Sequence, residues 1–459
     1  MADDTDAWDR RRRLAALTIA LAVTVSVFDG VMLNATLPSI AAQLHATPAE
    51  AIWVVNAYQL AAAAVLLPLG KAADIYGHKH AYLGCILVFG LASLGCALSQ
   101  DLPTLAAWRF LQGCGGAGIM GITNAMIRII YPEAQFVRGV ALNSLLVAMG
   151  LAAGPTIASL LVTLAGWRWL FLVNLPIVAA LLAVGWSALP AGKPTGHRFD
   201  FVSAALSMAM FGLLLLALDS GAHSTVVVLP AMLALGGIGA GALLLRRQAG
   251  MAMPLFPVDM LRIRLFGLSV ATMFAASAAQ LLAYVVLPFH FQVDLGRSQV
   301  ETGLLFLPWP LALAVAAPLA ARISDRLAAA TQCAAGLGLF AIGLVLLALL
   351  ERGAGFADIA WRMALCGFGY GLSQPANSRT LMTSAPQGRL GSASVMGASA
   401  RVTGQACGAA VAALLFRLMP ESGRMAALLV AAAFAALGVA FSLSRGPQSP
   451  FENARKSAF

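Results

Sequence analysis

About fourteen apolar runs follow one another along the chain, each roughly as long as a bilayer is thick and each closed by charge or by Pro and Gly clusters. Few folds tolerate such a pattern. Hydrocarbon offers no partner for backbone N–H and C=O groups, so a spanning segment is a helix of about 20 apolar residues or a strand of a closed barrel, and these runs have helical length. They lie near 14–38, 50–70, 81–99, 103–127, 137–164, 168–188, 200–219, 225–246, 265–292, 300–321, 329–350, 357–383, 389–416 and 424–444. An all-α integral membrane protein is expected. The 459 residues are 60% apolar and 10% charged, against about 45–50% and about 25% in soluble domains. Only short loops and tails remain, so a soluble nucleotide-binding or catalytic domain of about 100 residues has no room. The first run reads as a span and not as a cleavable leader, because it is too long and has no small-residue cleavage site before Asp29.

Basic residues give the orientation. Of the 29 Lys and Arg, 21 fall on the side of the two termini, 5 on the other and 3 within spans. Positive charge accumulates in cytoplasmic loops, so both termini are expected in the cytoplasm and the chain in the plasma or bacterial inner membrane. The net charge of +10 is then explained by loops facing the bilayer, and no nucleic-acid partner is expected. The six cysteines fall within spans without metal-ligand spacing, so neither a disulfide framework nor a metal site is expected.

The chain also repeats itself. Asp74 and Asp325 lie 251 residues apart at corresponding span ends, as do Arg138 and Arg389, while Trp108-Arg109 and Trp361-Arg362 lie 253 apart, each before a Gly-rich stretch. An even number of spans separates the copies, so they share one orientation. The expected architecture is two six-helix bundles, 14–188 and 265–444, with two inserted helices at 200–246 and tails at 1–13 and 445–459. Parallel repeats of this kind place a transported solute between the halves.

Several stretches carry a family resemblance. Gly70-Lys71-Ala72-Ala73-Asp74-Ile75-Tyr76-Gly77-His78-Lys79 resembles the loop motif between helices 2 and 3 of the major facilitator superfamily. Arg109-Phe110-Leu111-Gln112-Gly113 is similar to the helix 4 motif of its drug antiporters, and Gly150-Leu151-Ala152-Ala153-Gly154-Pro155 to their helix 5 motif, with Ala158-Ser159 replacing the usual Gly pair. Phe28-Asp29, Asn34 and Leu37-Pro38, together with Trp167 to Phe171, Asn174 and Pro176, resemble the fourteen-spanner drug/proton antiporters. The resemblance implies a major facilitator fold, multidrug efflux coupled to protons, and a helix 4 Arg beside the helix 1 acid.

The residues themselves point to chemistry. Asp29 is the one acid near the middle of a span, where an ionised carboxylate is costly unless paired or protonated. Arg109 is the expected partner, a fixed cation that takes part in proton coupling or serves as a structural anchor. Asp74 with Lys71 and Lys79, and Asp325 with Arg322 and Arg326, are expected to latch the cytoplasmic ends, with Gly70 and Gly77 shaping the first loop. Gly150, Gly154 and Pro155 provide small surfaces and a kink for helices that rock, or plain tight packing. Gln280, 251 residues after Asp29, and Asn34, Asn56, Tyr58, Gln59, Gln112, Asn377 and Arg401 are cavity candidates for a small-molecule substrate.

The six His residues are scattered, and neither HExxH nor paired mid-membrane acids occur, so an enzyme is not expected. Without an ATP-binding motif, the proton motive force is the expected energy source, and no cofactor is called for. The leading expectation is a monomeric proton-coupled exporter of small, partly apolar compounds. The alternative is a proton-linked transporter of one specific metabolite or anionic compound.

Overall fold

The computed structural model describes residues 10–131, 135–191, 199–223, 228–248, 258–323, 327–351, 353–386, 389–420 and 422–446. Among them the regular elements are helical. In the first half these are α1 (Arg10–Gln43), the short α2 (Pro48–Ala51), α3 (Trp53–Tyr76), α4 (His78–Leu98), α5 (Leu102–Ile130), α6 (Phe136–Ala165), α7 (Trp169–Leu172) and α8 (Asn174–Ala188). Two further helices follow, α9 (Phe201–His223) and α10 (Val228–Gln248). The second half holds α11 (Arg264–Phe289), α12 (Gln299–Leu305), α13 (Pro308–Ile323), α14 (Ala329–Ala348), α15 (Phe356–Thr383), α16 (Leu390–Leu418) and α17 (Gly423–Leu443).

Local sequence fixes the corners. Gly77, at φ +101°, turns the chain between α3 and α4 in a conformation that side chains resist. Asp101 caps α5 by accepting from the Thr104 N–H at 2.8 Å, which holds its carboxyl below the usual range. Thr47 with Glu50, and Ser298 with Glu301, form reciprocal capping boxes at α2 and α12.

Eleven helices among the described residues are long and apolar enough to cross a bilayer. The protein is a multi-pass membrane protein. Three further helices, α6, α9 and α15, cover the other expected runs. Of these, α15 carries Asp358, Arg362 and Arg379.

The two halves pack the same helix pairs. α5 lies against α3 and α4 as α15 lies against α13 and α14, and α1 meets α6 as α11 meets α16. Glycines permit these approaches. A Cβ on Gly113 would collide with the Tyr58 carbonyl and one on Gly367 with the Trp309 carbonyl. Likewise a Cβ on Gly115 would meet the Phe89 nitrogen at 2.7 Å and one on Gly369 the Phe340 nitrogen at 2.5 Å. Tyr58 and Trp309 are 251 residues apart, and so are Phe89 and Phe340.

Contacts between the halves run from the end opposite the termini to the middle. Ser39 donates to Gln299 at 2.6 Å, Gln299 donates to the Ala35 carbonyl at 3.0 Å and to Ser159 at 3.1 Å, and Thr156 donates to the Gly303 carbonyl at 3.1 Å. Nearer the middle, α3 and α16 pack Val65 and Leu66 beside Ala398 and Val402. Toward the termini, a Cβ on Gly70 of α3 or on Gly391 of α16 would find nothing within 4 Å. α9 touches both α3 and α16, and α10 packs on α9.

Candidate functional site

Four helices deliver polar side chains to one buried point in the first half. Asp29 comes from α1, Arg109 and Gln112 from one turn of α5, Ser93 from α4, and Asn174 from the start of α8. Asp29 and Arg109 are 3% and 1% exposed. Arg109 Nη1 donates to Asp29 Oδ2 at 2.5 Å and to Gln112 Oε1 at 2.6 Å. The other carboxylate oxygen accepts from Gln112 Nε2 and Asn174 Nδ2, both at 3.0 Å. Ser93 Oγ accepts from Gln112 at 2.8 Å and donates to the Phe89 carbonyl at 2.8 Å.

The guanidinium is held from several sides. Its Nε donates to the Val54 carbonyl at 3.4 Å, and the group lies 4.5 Å from the Tyr58 ring centre and 5.9 Å from that of Phe171. Gly116 leaves the space that the Tyr58 hydroxyl fills. An ion pair with three donors on the carboxylate is satisfied in low dielectric, so this arrangement stores a separated charge without an orphaned partner. Removing either charge leaves the other buried and unmet.

Other expected residues fall in distinct places. Gln59 donates to Gln405 at 3.3 Å across the α3–α16 seam. Asn34 and Asn56 are buried on α1 and α3, and Gln280 is half-buried on α11. Asn377 is engaged inside the second half, donating to the Ser269 carbonyl at 3.1 Å and accepting from Arg445. Arg445, expected as the first residue of a tail, is instead 7% exposed and also donates to Thr272 at 2.6 Å. Arg401 is exposed on α16. Arg362 pairs with Asp358 at 3.0 Å in its own first turn, so the two Trp-Arg pairs diverge after the repeat.

At the end that carries the termini, His78 Nε2 lies 3.1 Å from Asp74 Oδ1 across the Gly77 corner, and Lys79 lies over Trp186. Lys71 is half-buried and Arg322 is exposed, whereas Asp325 and Arg326 lie outside the described residues. Gly150 and Gly154 face α1, where a Cβ would meet Val27 and Val31 at an ordinary 3.5 Å. Pro155 presents its carbonyl to Gly303, where a Cβ would approach to 2.9 Å.

Sequence reasoning missed Asn174 and Ser93 as site residues. Their signal was a neutral polar group within an apolar run, which is common in membrane helices and costs little. Among the described residues no group of three His, Cys, Asp or Glu side chains could hold a metal ion.

Comparison with known proteins decides the family. The model of the Major Facilitator Superfamily matches residues 19–409. The chain belongs to that superfamily. A protein of Escherichia coli (strain K12), named as the uncharacterized transporter YebQ, is 44% identical over 430 residues, covering 93% of this chain and 94% of that protein. The multidrug efflux pump LfrA of Mycolicibacterium smegmatis (strain ATCC 700084 / mc(2)155) is 28% identical over 414 residues, covering 90% and 81%. Among solved structures, the POT family transporter PepTSo superposes with a TM-score of 0.72 at 16% identity, covering 95% of this chain and 98% of that one. That likeness carries the fold alone.

Proposed function

We propose that this superfamily member is a proton-coupled secondary exporter that moves small, partly apolar compounds out of the cytoplasm by alternating access. In this reading the chain spans the cell membrane fourteen times with both termini cytoplasmic. The bundles 14–188 and 265–444 rock as a monomer around a central site, with 200–246 inserted between them. The observation that carries the reading is the buried Asp29–Arg109 pair, closed by Gln112 and Asn174.

Protonation of Asp29 removes one charge of the pair and leaves Arg109 uncompensated. Breaking a buried pair costs about 3–5 kcal/mol, so proton uptake favours a second arrangement in which the guanidinium finds other partners. One charge crossing 100 mV gains about 2.3 kcal/mol, enough for roughly a 50-fold gradient of a neutral solute. Asp74 and its basic neighbours then act at the cytoplasmic end as a contact that forms and breaks during the cycle.

The test uses purified protein in liposomes, with efflux and proton release read together. Asp29→Asn keeps size and hydrogen bonding but cannot titrate, so uphill transport and substrate-induced proton release should both vanish. Uphill transport by that variant under an imposed pH difference would assign the proton to another acid. A second reading, a proton-linked carrier for one specific metabolite, is favoured by the Gln59–Gln405 pair in the seam, since polar groups discriminate more sharply than apolar walls.

A further inference from the structure

Arg401 is the twelfth residue of the 29-residue α16, about 16 Å of helix from its start. That places it well inside the expected span 389–416, where an uncompensated cation is expensive. Yet the residue is exposed, and no carboxylate lies within 4.0 Å of it among the described residues. Its neighbours on the helix show which way it points. Ala398, Val402 and Gln405 face α3, while Gly404 and Gly408 abut the α11 carbonyls of Phe274 and Ala278. At 100° per residue, position 401 falls between these two faces and looks into the space between α3 of one half and α11 of the other.

Aromatic and polar groups lie near that point. Tyr370 of α15 is buried within the second half, and its ring packs edge-on to Phe340 at 5.6 Å. The Gln59–Gln405 pair is one helical turn away. Among the described residues, the other charges within the spans pair off, Asp29 with Arg109 and Arg362 with Asp358, which leaves Arg401 as a cation at the seam without a carboxylate partner.

We propose that Arg401 binds the anionic group of the transported solute, and that the substrate class is an organic anion, a carboxylate or sulfonate on an aromatic or otherwise apolar body. This rests on the exporter reading and narrows it. Exchanging one inward proton for one outward monoanion carries two elementary charges in the same electrical direction, so an inside-negative potential drives both halves of the exchange.

Matched probes test the inference: 2-naphthoate, 2-naphthylmethanol and 2-naphthylmethylammonium share a skeleton and differ in charge. Calorimetric binding to the purified full-length protein should favour 2-naphthoate. Arg401→Gln should weaken 2-naphthoate by about 10- to 100-fold and leave 2-naphthylmethanol within about 3-fold, Arg401→Lys should restore part of the loss, and Arg401→Glu should invert the order of the two charged probes. Gel filtration and the retained 2-naphthylmethanol binding show that the variants are folded. Equal binding of the three probes by the unmodified protein, or 2-naphthoate binding unchanged in Arg401→Gln, would overturn the inference. Proteoliposome transport separates the two readings. Proton-driven export of the ammonium probe but not of 2-naphthoate sinks the anion assignment and leaves the exporter standing, whereas Arg401-dependent movement of 2-naphthoate that ignores the pH gradient does the reverse.

Discussion

A carboxylate with three donors is anchored by unequal bonds, and the polar cage around Asp29 makes the inequality measurable. Gln112 bonds Asp29, Arg109 and Ser93 at once, whereas Asn174 reaches Asp29 at 3.0 Å and Ser93 only at 3.4 Å. Hydrogen bonds to charged groups contribute about 1.5–3 kcal/mol each. Gln112→Leu should therefore lower the detergent-solubilised Tm further than Asn174→Leu, and equal losses would mean that the cage does not act as one network. Arg109→Lys keeps the charge but loses the planar fork, and proton-coupled efflux should fall more than folded yield. Asp29 and Arg109 were legible in the sequence because a charge in an apolar run needs a reason. Ser93 and Asn174 were not, since only the fold brings four helices to one point.

Between helices, the glycines divide into two kinds. Gly369→Ala pushes a Cβ against the Phe340 backbone at 2.5 Å, whereas Gly154→Ala meets only Val31 at 3.5 Å. Overpacking costs about 1–3 kcal/mol, while Ala in an open helical site gains up to about 1 kcal/mol over Gly. Folded yield and Tm should therefore drop for Gly369→Ala and hold for Gly154→Ala. If Gly154→Ala folds but does not transport, the α1–α6 surface needs its glycines in another conformation.

The linker is tied more weakly. Asp259, in the turn before α11, accepts from Arg389 at the start of α16, and those hydrogen bonds hold its carboxyl below the usual range. A lowered value means that the contact contributes fully above the ordinary carboxylate pKa and is lost as pH falls through the bound value. The pair is exposed, so Asp259→Asn should cost less than about 1 kcal/mol at pH 7, and its Tm difference should fade as the pH falls through the lowered value of the Asp259 carboxyl. The Gly-rich stretches of α5 and α15 were visible from their spacing. Which glycines bear on backbone was not, because that depends on Tyr58, Phe89, Trp309 and Phe340 across the interface.

At the scale of the whole molecule, hydrogen bonds join the two halves at the end opposite the termini. Ser39 and Gln299 touch across that end, while Gly70 and Gly391 lie on the contacting helices α3 and α16 toward the end that carries the termini, each with free space at its Cβ position. In a background with the six native cysteines replaced, Ser39→Cys with Gln299→Cys should cross-link readily in the resting protein and less under an imposed pH gradient with substrate. Gly70→Cys with Gly391→Cys should behave oppositely. Cross-linking of both pairs that ignores substrate and gradient would argue against rocking. The repeat was legible at this scale because charges and Trp residues recur at helix ends. The burial of Arg445 was not legible, because a basic residue at a span end reads as a loop charge until the fold brings Thr272 and Asn377 to it.

The placement of α9 has a mechanical consequence. Its Leu216 rests among Leu60 and Ala63 of α3 and Val402 and Ala406 of α16, so a motion that separates those two helices must shear past it. Aliphatic contacts have no preferred register over short slides, unlike hydrogen bonds, which break when their partners are displaced. If the halves rock as proposed, α9 would serve the seam as a greased bearing, guiding the direction of travel while adding little friction to it.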